Sequence, residues 1–208
     1  MYTDLSEALV NFNFDVVLGT VKERLESGSN PIVLVQELQE GMKKVGDRFS
    51  GGEFYLSELM MSADLFTQAM KAITPKLEGL PRDIIGKILI GTPSGDIHNI
   101  GKDIFIAVAK GAGFEVHDLG VDVPVEQFLK AVEDTKPDIL GFSALITTAF
   151  EPMKVVVDKL TEMGLRQDLK VIVGGGVTTE IVRKFVGADA QVTDAMTGLD
   201  FCKRSVGH

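Results

Sequence analysis

The segment IIGKILIGTPSGDIHNIGKD, residues 84–103, decides the fold, because an apolar strand pattern gives way within it to a helix pattern. The run Ile84–Gly91 is typical of a buried strand. A glycine-containing loop follows, and a helix is predicted to begin at about Gly101. A strand, a short loop and a helix in this order form the first half of a βαβ unit.

The same alternation continues to the end of the chain. It predicts a parallel, doubly wound sheet of the Rossmann or flavodoxin type, with five strands and helices between them. The predicted strands are Ile84–Gly91, Phe114–Leu119, Asp138–Ser143, Lys170–Gly174 and Ala190–Val192, and the predicted helices are Gly101–Gly111, Val125–Thr135, Pro152–Met163, Glu180–Val186 and Ala195–Lys203.

The region before this segment is predicted to be helical instead. Four apolar patterns at helical spacing and short connections predict a small four-helix bundle. The helices are expected over Leu5–Phe12 (capped by Thr3 or Asp4), Phe14–Leu25, from Pro31 to beyond Val45, and Leu56–Ile73, with a loop at residues 49–55. The buried side of the fourth is predicted to carry Leu59, Met60, Ala63, Phe66, Ala69 and Met70.

A change of composition separates the two regions. Residues 75–84 contain two prolines and a glycine and are predicted to be a linker. The predicted domains are therefore a helical domain at residues 1–80 and an α/β domain at residues 84–208.

Composition narrows the class of protein. The net charge is −9 and no basic patch is visible, which argues against a nucleic-acid partner. No run approaches the roughly 18 apolar residues of a membrane span, and the acidic N-terminus does not resemble a signal peptide. The single cysteine, Cys202, cannot form an internal disulfide. We therefore expect a cytoplasmic protein without a membrane partner.

Ligands of doubly wound sheets bind at the carboxyl ends of the strands, where Asp96 and His98 are predicted to lie. An imidazole can bind a metal through one ring nitrogen while a carboxylate holds the other N–H. Alternatively, Asp96 caps the next helix and His98 is an ordinary loop residue. A lone histidine cannot build a zinc site, so a metal here would have to bring most of its ligands, as in a tetrapyrrole-like macrocycle.

Two further loops are predicted at the same edge. The segment SALITT, residues 143–148, places hydroxyl groups there that could bind a polar cofactor tail or cap the next helix. The segment GGGVTT, residues 174–179, could admit a bulky ligand close to the backbone or form a tight strand-to-helix turn.

Together the three loops resemble the cobalamin-binding signature of B12-dependent methyltransferases and mutases. That signature is DxHxxG, then SxL after about forty residues, then GG after just under thirty. Here Asp96-Ile97-His98-Asn99-Ile100-Gly101 is followed, after residues 102–142, by Ser143-Ala144-Leu145 and, after residues 146–173, by Gly174-Gly175. The N-terminal segment VGDRFSGGEFYLSELMMSADLF also resembles the helical cap domain of corrinoid methyltransferases.

The resemblance implies a role for each matching residue. His98 would displace the base of cobalamin and become the lower cobalt ligand, and Asp96 would hydrogen-bond to it. Gly101 would let its helix pack beside the inserted tail. The displaced base and nucleotide tail would be lined by Ser143, Leu145, Thr147, Gly174 and Gly175. The helical domain would cover the upper face of the corrin.

This chain differs from the pattern of the family at a few positions. Many relatives have an aspartate in place of Asn99 and a tyrosine after the sequence GAD. In methionine synthase a serine at the position of Ala149 extends the histidine–aspartate relay. Alanine cannot do so, and Thr147 or Thr148 is expected to substitute for it.

The resemblance also implies a function. Size and domain order are similar to corrinoid proteins of anaerobic methyl-transfer systems for methanol, methylamines or aryl methyl ethers. The expected role is a non-catalytic carrier that takes a methyl group from a substrate:corrinoid methyltransferase to a second methyltransferase with a tetrahydrofolate or thiol acceptor. A reductive activator protein is a further expected partner.

Three alternatives remain open from sequence. A subunit of an adenosylcobalamin mutase would share the sheet but usually lacks the helical domain. A B12-based sensor would need a DNA-binding module, which the net charge of −9 does not favour. A flavodoxin-like domain without cobalt is the third.

Overall fold

The computed structural model of the chain describes residues 4–77 and 84–207. It divides into two units, residues 1–83 with 107–113 (the helical unit) and residues 84–106 with 114–208 (the α/β unit). The predicted domain boundary and most of the predicted linker fall in residues 78–83, which lie outside the described residues. The predicted cap Thr3 also lies outside the described residues.

The four predicted helices of the helical unit are confirmed. They are α1 (Leu5–Val10), α2 (Phe14–Glu26), α3 (Pro31–Ser50) and α4 (Leu56–Ile73), followed by a 3-10 turn at Thr74–Lys76. Their starts follow ordinary capping chemistry: the Asp4 carboxylate accepts the Ser6 N–H at 2.9 Å, and Pro31 occupies the first position of α3. A bidentate ion pair joins Arg24 of α2 to Glu37 of α3.

Several local predictions for this unit are wrong. The first helix ends before Phe12, whose φ of +56° is left-handed and cannot continue a helix. Met60 is exposed, because the buried stripe of α4 follows Leu59, Ala63 and Phe66, and Met60 lies about 100° round the helix from Leu59. The predicted loop at residues 49–55 begins two residues too early, since α3 runs to Ser50.

The α/β unit has the predicted parallel sheet. Its strands are β1 (Lys87–Gly91), β2 (Glu115–Asp118), β3 (Ile139–Ser143), β4 (Lys170–Gly174) and β5 (Ala190–Val192), in the order β2-β1-β3-β4-β5. This is the flavodoxin-like order, with the switch point between β1 and β3. The later helices of the chain are α5 (Ile100–Gly111), α6 (Val125–Thr135), α7 (Phe150–Glu162), α8 (Glu180–Val186) and α9 (Ala195–Ser205).

The register of the strands builds a core on each face of the sheet. Leu89, Leu140 and Val171 are paired across three strands and share one face, where they join a buried cluster with residues of α6, α7 and α8. The opposite face is apolar as well, because residues of a strand alternate between its two faces, and it contains Ile88, Ile90, Ile139 and Ile172.

The element types are as predicted, but some ends differ. β1 begins at Lys87 rather than Ile84, and β2 covers only Glu115–Asp118 of the predicted Phe114–Leu119, because the pairing of the two strands starts at Lys87 and Glu115. α7 begins at Phe150, two residues before Pro152. Proline is tolerated there because the first four N–H groups of a helix have no intrahelical acceptor. Across residues 4–77 and 84–207, no helix is both long and apolar enough to cross a membrane.

Candidate cofactor site

The loops that follow β1, β3 and β4 meet at the carboxyl edge of the sheet. The Ala144 N–H donates to the carbonyl of Gly174 at 2.9 Å, which continues the β3–β4 pairing into the loops. The loop after β1 reaches the loop after β3 through Asp96. The three segments singled out from sequence are therefore neighbours at the switch point, where ligands of doubly wound sheets bind.

Asp96 and His98 form a hydrogen-bonded pair in the loop after β1. The Asp96 side chain is fully buried, and its Oδ1 lies 2.7 Å from His98 Nδ1 and accepts the His98 main-chain N–H at 3.0 Å. An ionised carboxylate can only accept, so Nδ1 carries the proton. The His98 side chain is 51% exposed, and the lone pair of Nε2 in the neutral ring is left for an external ligand.

The second carboxylate oxygen of Asp96 holds the loop after β3. Oδ2 accepts the main-chain N–H groups of Leu145 at 2.7 Å and Ile146 at 3.2 Å. Burial alone would raise the pKa of Asp96, but the donors from Leu145, His98 and Ile146 outweigh burial, so the pKa lies below its ordinary value. Asp96 is therefore held ionised, and its charge is placed beside the His98 ring.

This arrangement corrects one prediction. No hydroxyl group of the described residues donates to Asp96, and Thr147 and Thr148 are both exposed in the 3-10 turn at Thr147–Ala149. The main-chain N–H groups of Leu145 and Ile146 occupy the oxygen that a hydroxyl relay would use. Thr147 and Thr148 therefore make no hydrogen bond to Asp96 in the structure.

The glycine loop after β4 is shaped by steric limits. Gly175 has a φ of +121°, and a Cβ there would lie 1.9 Å from the Ala144 carbonyl oxygen. Only glycine fits so close an approach with this backbone conformation. The loop is held by the buried Thr178, whose hydroxyl donates to the Gly175 carbonyl at 2.8 Å, and by the Gln191 amide, which donates to Thr178.

Two contacts at the same edge were missed from sequence. Lys102 of α5 is only 2% exposed, and its Nζ lies 2.7 Å from both carboxylate oxygens of Asp118 and 3.0 Å from Asp103. In addition, Asp122 accepts the Gly95 N–H at 2.7 Å. Lys102 and Gly95 are within five residues of His98 in sequence. Their partners are not, because Asp118 ends β2 and Asp122 lies in the loop after it, so sequence spacing carried no signal.

The surroundings of His98 suit a large apolar ligand. Ile97 and Ile100, on either side of it in the chain, and Leu145, bound through its N–H to Asp96, are all exposed apolar side chains. A Cβ added to Gly101 would meet no atom within 4 Å, so space is open beside the start of α5. The hydroxyl of Ser143, at the end of β3, is not engaged by any residue in the described part of the chain.

Within residues 4–77 and 84–207, no group of three or more histidine, cysteine, aspartate or glutamate side chains could hold a metal ion. His98 could thus contribute one nitrogen to a metal whose remaining ligands come with it. A half-exposed imidazole with exposed apolar neighbours fits a corrinoid, whose macrocycle would bring the other metal ligands.

Comparison with known proteins identifies the family of the chain. A B12 binding domain matches residues 86–199, and a second, helical-region B12 binding domain matches residues 1–74. The dimethylamine corrinoid protein of Methanosarcina barkeri is 37% identical over 194 residues, which are 92% of this chain and 91% of that protein. The trimethylamine corrinoid protein of the same organism is 36% identical and covers 88% of this chain and 86% of its own.

Solved structures give the same result. A cobalamin-binding protein from Desulfitobacterium hafniense is 37% identical, with a TM-score of 0.70 over 98% of this chain and 97% of that one. A chain of the methanol:cobalamin methyltransferase complex from Methanosarcina barkeri is 28% identical, with a TM-score of 0.84 over 99% of this chain and 79% of that one.

Proposed function

The chain belongs to the family of B12-binding corrinoid proteins, and from this premise we propose that it carries a methyl group between two methyltransferases. It binds a cobalamin-type corrinoid. When bound, the cobalt supplies the nucleophile that takes up the methyl group, while the protein supplies position and electrostatics. The relatives, named for dimethylamine and trimethylamine, support a small methylated compound as the donor.

His98 is the proposed lower ligand of the cobalt. One observation carries this assignment: the ring is half exposed, its Nδ1 is hydrogen-bonded to the fully buried Asp96, and Nε2 is left for the metal. A carboxylate partner fixes the tautomer and raises the basicity of a ligating imidazole. Asp96 is in turn fixed by the N–H groups of Leu145 and Ile146, so the ring orientation is set by two loops.

The remaining predicted site residues are proposed to receive the displaced base and nucleotide tail. Ser143 offers a free hydroxyl, and Leu145 an exposed apolar surface. Gly174 and Gly175 are proposed to lie against the tail, in the loop that Gly175 allows to approach the Ala144 carbonyl. Gly101 and Thr147 belong to the same proposal, with open space at Gly101 and an exposed side chain at Thr147.

The proposed partners follow from the carrier role. A substrate:corrinoid methyltransferase is the first, supported by the similarity to a chain of a methanol:cobalamin methyltransferase complex. A methyltransferase with a tetrahydrofolate or thiol acceptor and a reductive activator protein complete the proposed cycle. The cytoplasm is the proposed location, and the covering role of the helical unit stays a prediction. The alternative of a mutase subunit is not favoured by any of these matches.

The His98→Ala variant tests the site. Hydroxocobalamin is added to the purified full-length chain, and its binding is followed by the absorption spectrum. We expect binding to weaken by at least about tenfold, because the one axial ligand from the protein is lost. His117→Ala is the matched control: His117 lies in β2 of the same unit and pairs with Glu115 at 2.8 Å. If His98→Ala and His117→Ala bind hydroxocobalamin equally well, the assignment of His98 is wrong.

A second experiment tests the carrier role. The corrinoid-loaded chain is reduced to Co(I) and mixed with a purified methyltransferase and its methylamine or methanol. The spectrum should change to that of methyl-Co(III), and the second methyltransferase should reverse the change. If no combination methylates the chain, the role of carrier is excluded although the corrinoid site can remain.

A further inference from the structure

The loop between β2 and α6, residues 119–124, runs alongside the loop that contains Asp96. Main-chain hydrogen bonds link them at four places: Thr92 N–H to Gly120 O, Val123 N–H to Thr92 O, Ser94 N–H to Val123 O, and Asp122 N–H to Asp96 O, all between 2.9 and 3.0 Å. These bonds extend the β1–β2 pairing beyond the ends of both strands. The position of the His98 loop therefore depends on residues 119–124.

Asp122 adds a side-chain contact to this pairing. Its Oδ1 accepts the Gly95 N–H at 2.7 Å, while its own N–H donates to the Asp96 carbonyl at 2.9 Å. Asp122 thus binds the main-chain N–H of Gly95 and the main-chain carbonyl of the next residue, Asp96. No other side chain of the β2–α6 loop within the described residues bonds to the segment 92–96.

The backbone at this contact is unusual on both sides. Asp122 has a φ of +53° and Gly95 a φ of +88°, both in the left-handed region. Aspartate is among the few residues that enter this region, since its short polar side chain can bond locally. Non-glycine residues in such conformations persist where the surroundings determine them, and they cluster at functional sites.

From these contacts we propose that Asp122 is a positioning residue that sets the place of the Asp96–His98 pair before the corrinoid binds. The proposal rests on the proposed function. Gly95 has no neighbour within 4 Å of the place where its Cβ would be, so packing does not fix it. The Asp122 carboxylate supplies that restraint. A site fixed in advance binds more tightly because less conformational freedom is lost on binding.

Three substitutions separate the acceptor from the backbone conformation. Asp122→Asn keeps an acceptor oxygen and a residue that tolerates a positive φ. Asp122→Gly allows the positive φ and removes the acceptor. Asp122→Ala removes the acceptor and also disfavours that φ. If the carboxylate acts by holding Gly95, the asparagine variant resembles the wild type, and the other two are impaired.

The experiment uses the full-length chain and Co(II) cobalamin. We expect affinity within about twofold of wild type for Asp122→Asn, and a loss of about fivefold to tenfold for Asp122→Gly and Asp122→Ala, the effect of one hydrogen bond from the protein to a charged group. In the impaired variants, electron paramagnetic resonance should show a smaller fraction of cobalt with an axial nitrogen from the protein. A purely structural role of Asp122 would leave that fraction unchanged.

Each of three results would overturn the proposal: wild-type affinity and axial fraction in Asp122→Ala, wild-type values in Asp122→Gly, or an Asp122→Asn as impaired as Asp122→Ala. The His98→Ala variant separates this proposal from the proposed function. Impaired binding in His98→Ala with normal binding in Asp122→Ala contradicts the role of Asp122 alone. Normal binding in His98→Ala contradicts the ligand assignment itself.

Discussion

The helical unit and the α/β unit differ in what they do with buried polar side chains. The helical unit buries the hydroxyl groups of Ser6 and Ser62, and neither has a hydrogen-bond partner among the described residues. Among the described residues, the α/β unit buries four polar side chains, and all four have hydrogen-bond partners: Thr92, Asp96, Lys102 and Thr178.

The location of the partnered groups explains the difference. All four lie just beyond the carboxyl ends of strands, in the loops or helix start around the proposed corrinoid site. In the helical unit, small side chains allow close packing: a Cβ added to Gly41 would lie 3.0 Å from the Ser6 carbonyl oxygen. In the α/β unit the buried polar side chains therefore hold the loops around the proposed site. In the helical unit they lie between closely packed helices. The predictions below test this difference.

The largest effect is expected from Asp96→Ala in the chain without corrinoid. The N–H groups of Leu145, Ile146 and His98 would lose their acceptor, and we expect the free energy of unfolding to fall by about 4 kcal/mol. Asp134, exposed on α6, gives the matched control, because Asp134→Ala should change stability by less than about 0.5 kcal/mol. If Asp96→Ala and Asp134→Ala lowered the free energy of unfolding equally, the buried carboxylate of the site would contribute no more than one on the surface.

Cys202 provides the measurement for the α/β unit. It is the one cysteine of the chain, it is fully buried on α9, and burial raises the pKa of its thiol to about 12. The thiolate is the reactive form, so labelling by a thiol reagent in urea should report opening of this unit. Rapid labelling of the folded chain would contradict this use of Cys202.

Breaking the Lys102–Asp118 ion pair should have the next largest effect on stability. The loss should be larger when the buried Lys102 is left without Asp118 than when the more exposed Asp118 is left without Lys102. In Asp118→Asn the Lys102 ammonium, which is 2% exposed, keeps one carboxylate partner among the described residues, Asp103. We expect the free energy of unfolding to fall by about 3 kcal/mol. Lys102→Met leaves Asp118, which water can reach, and replaces the amine with an apolar chain, so the loss should be about 1 kcal/mol. Urea unfolding at neutral pH measures both, and the reverse order would contradict the account.

Lowering the pH should weaken the contribution of Asp96. Because its pKa is lower in the folded chain than in the unfolded one, the ionised group stabilises the fold above the unfolded pKa of about 3.9, and this stability is lost as pH falls through the folded pKa. The difference in unfolding free energy between wild type and Asp96→Asn should therefore narrow below about pH 4. A difference that stays constant down to strong acid would show that the charge does not matter.

The smallest effect compares one hydroxyl of each unit. Ser62→Ala removes a buried hydroxyl without a partner, so stability should be unchanged or raised by up to about 1 kcal/mol. Thr178→Ala removes a partnered one and should lower stability by about 1–2 kcal/mol. Thermal unfolding followed by circular dichroism measures both. A destabilised Ser62→Ala would indicate that its hydroxyl contributes to the fold.

Much of the fold could be predicted from the sequence because periodicity and capping are local. The bounds of α4, α6, α8, β4 and β5 are those predicted. Strand pairing is not local, so the start of β1 could not be found: an apolar run does not show where its partner strand begins. The left-handed φ of Phe12 was also missed from sequence, and so was the exposure of Met60, although Met60 lies off the stripe of Leu59, Ala63 and Phe66.

The candidate site was predicted in part for the same reason. Asp96 and His98 are two residues apart, and their hydrogen bond is one of the two arrangements that the sequence left open. The bonds from Asp96 to Leu145 and Ile146 span about fifty residues of chain, and the contact of Asp122 with Gly95 joins two loops. Such contacts depend on the order of strands in the sheet. The roles of these residues toward a corrinoid stay predictions.

The most direct test of the account is whether the axial nitrogen of the cobalt comes from the chain. Electron paramagnetic resonance of the Co(II) form should show that nitrogen as a triplet splitting in unlabelled protein and as a doublet when the protein carries nitrogen-15 and the cobalamin does not. In the His98→Ala variant, labelling the protein with nitrogen-15 should leave the spectrum unchanged. A triplet that persists in the labelled wild-type protein would mean that the base of the cofactor stays on the metal, and His98 would not be its ligand.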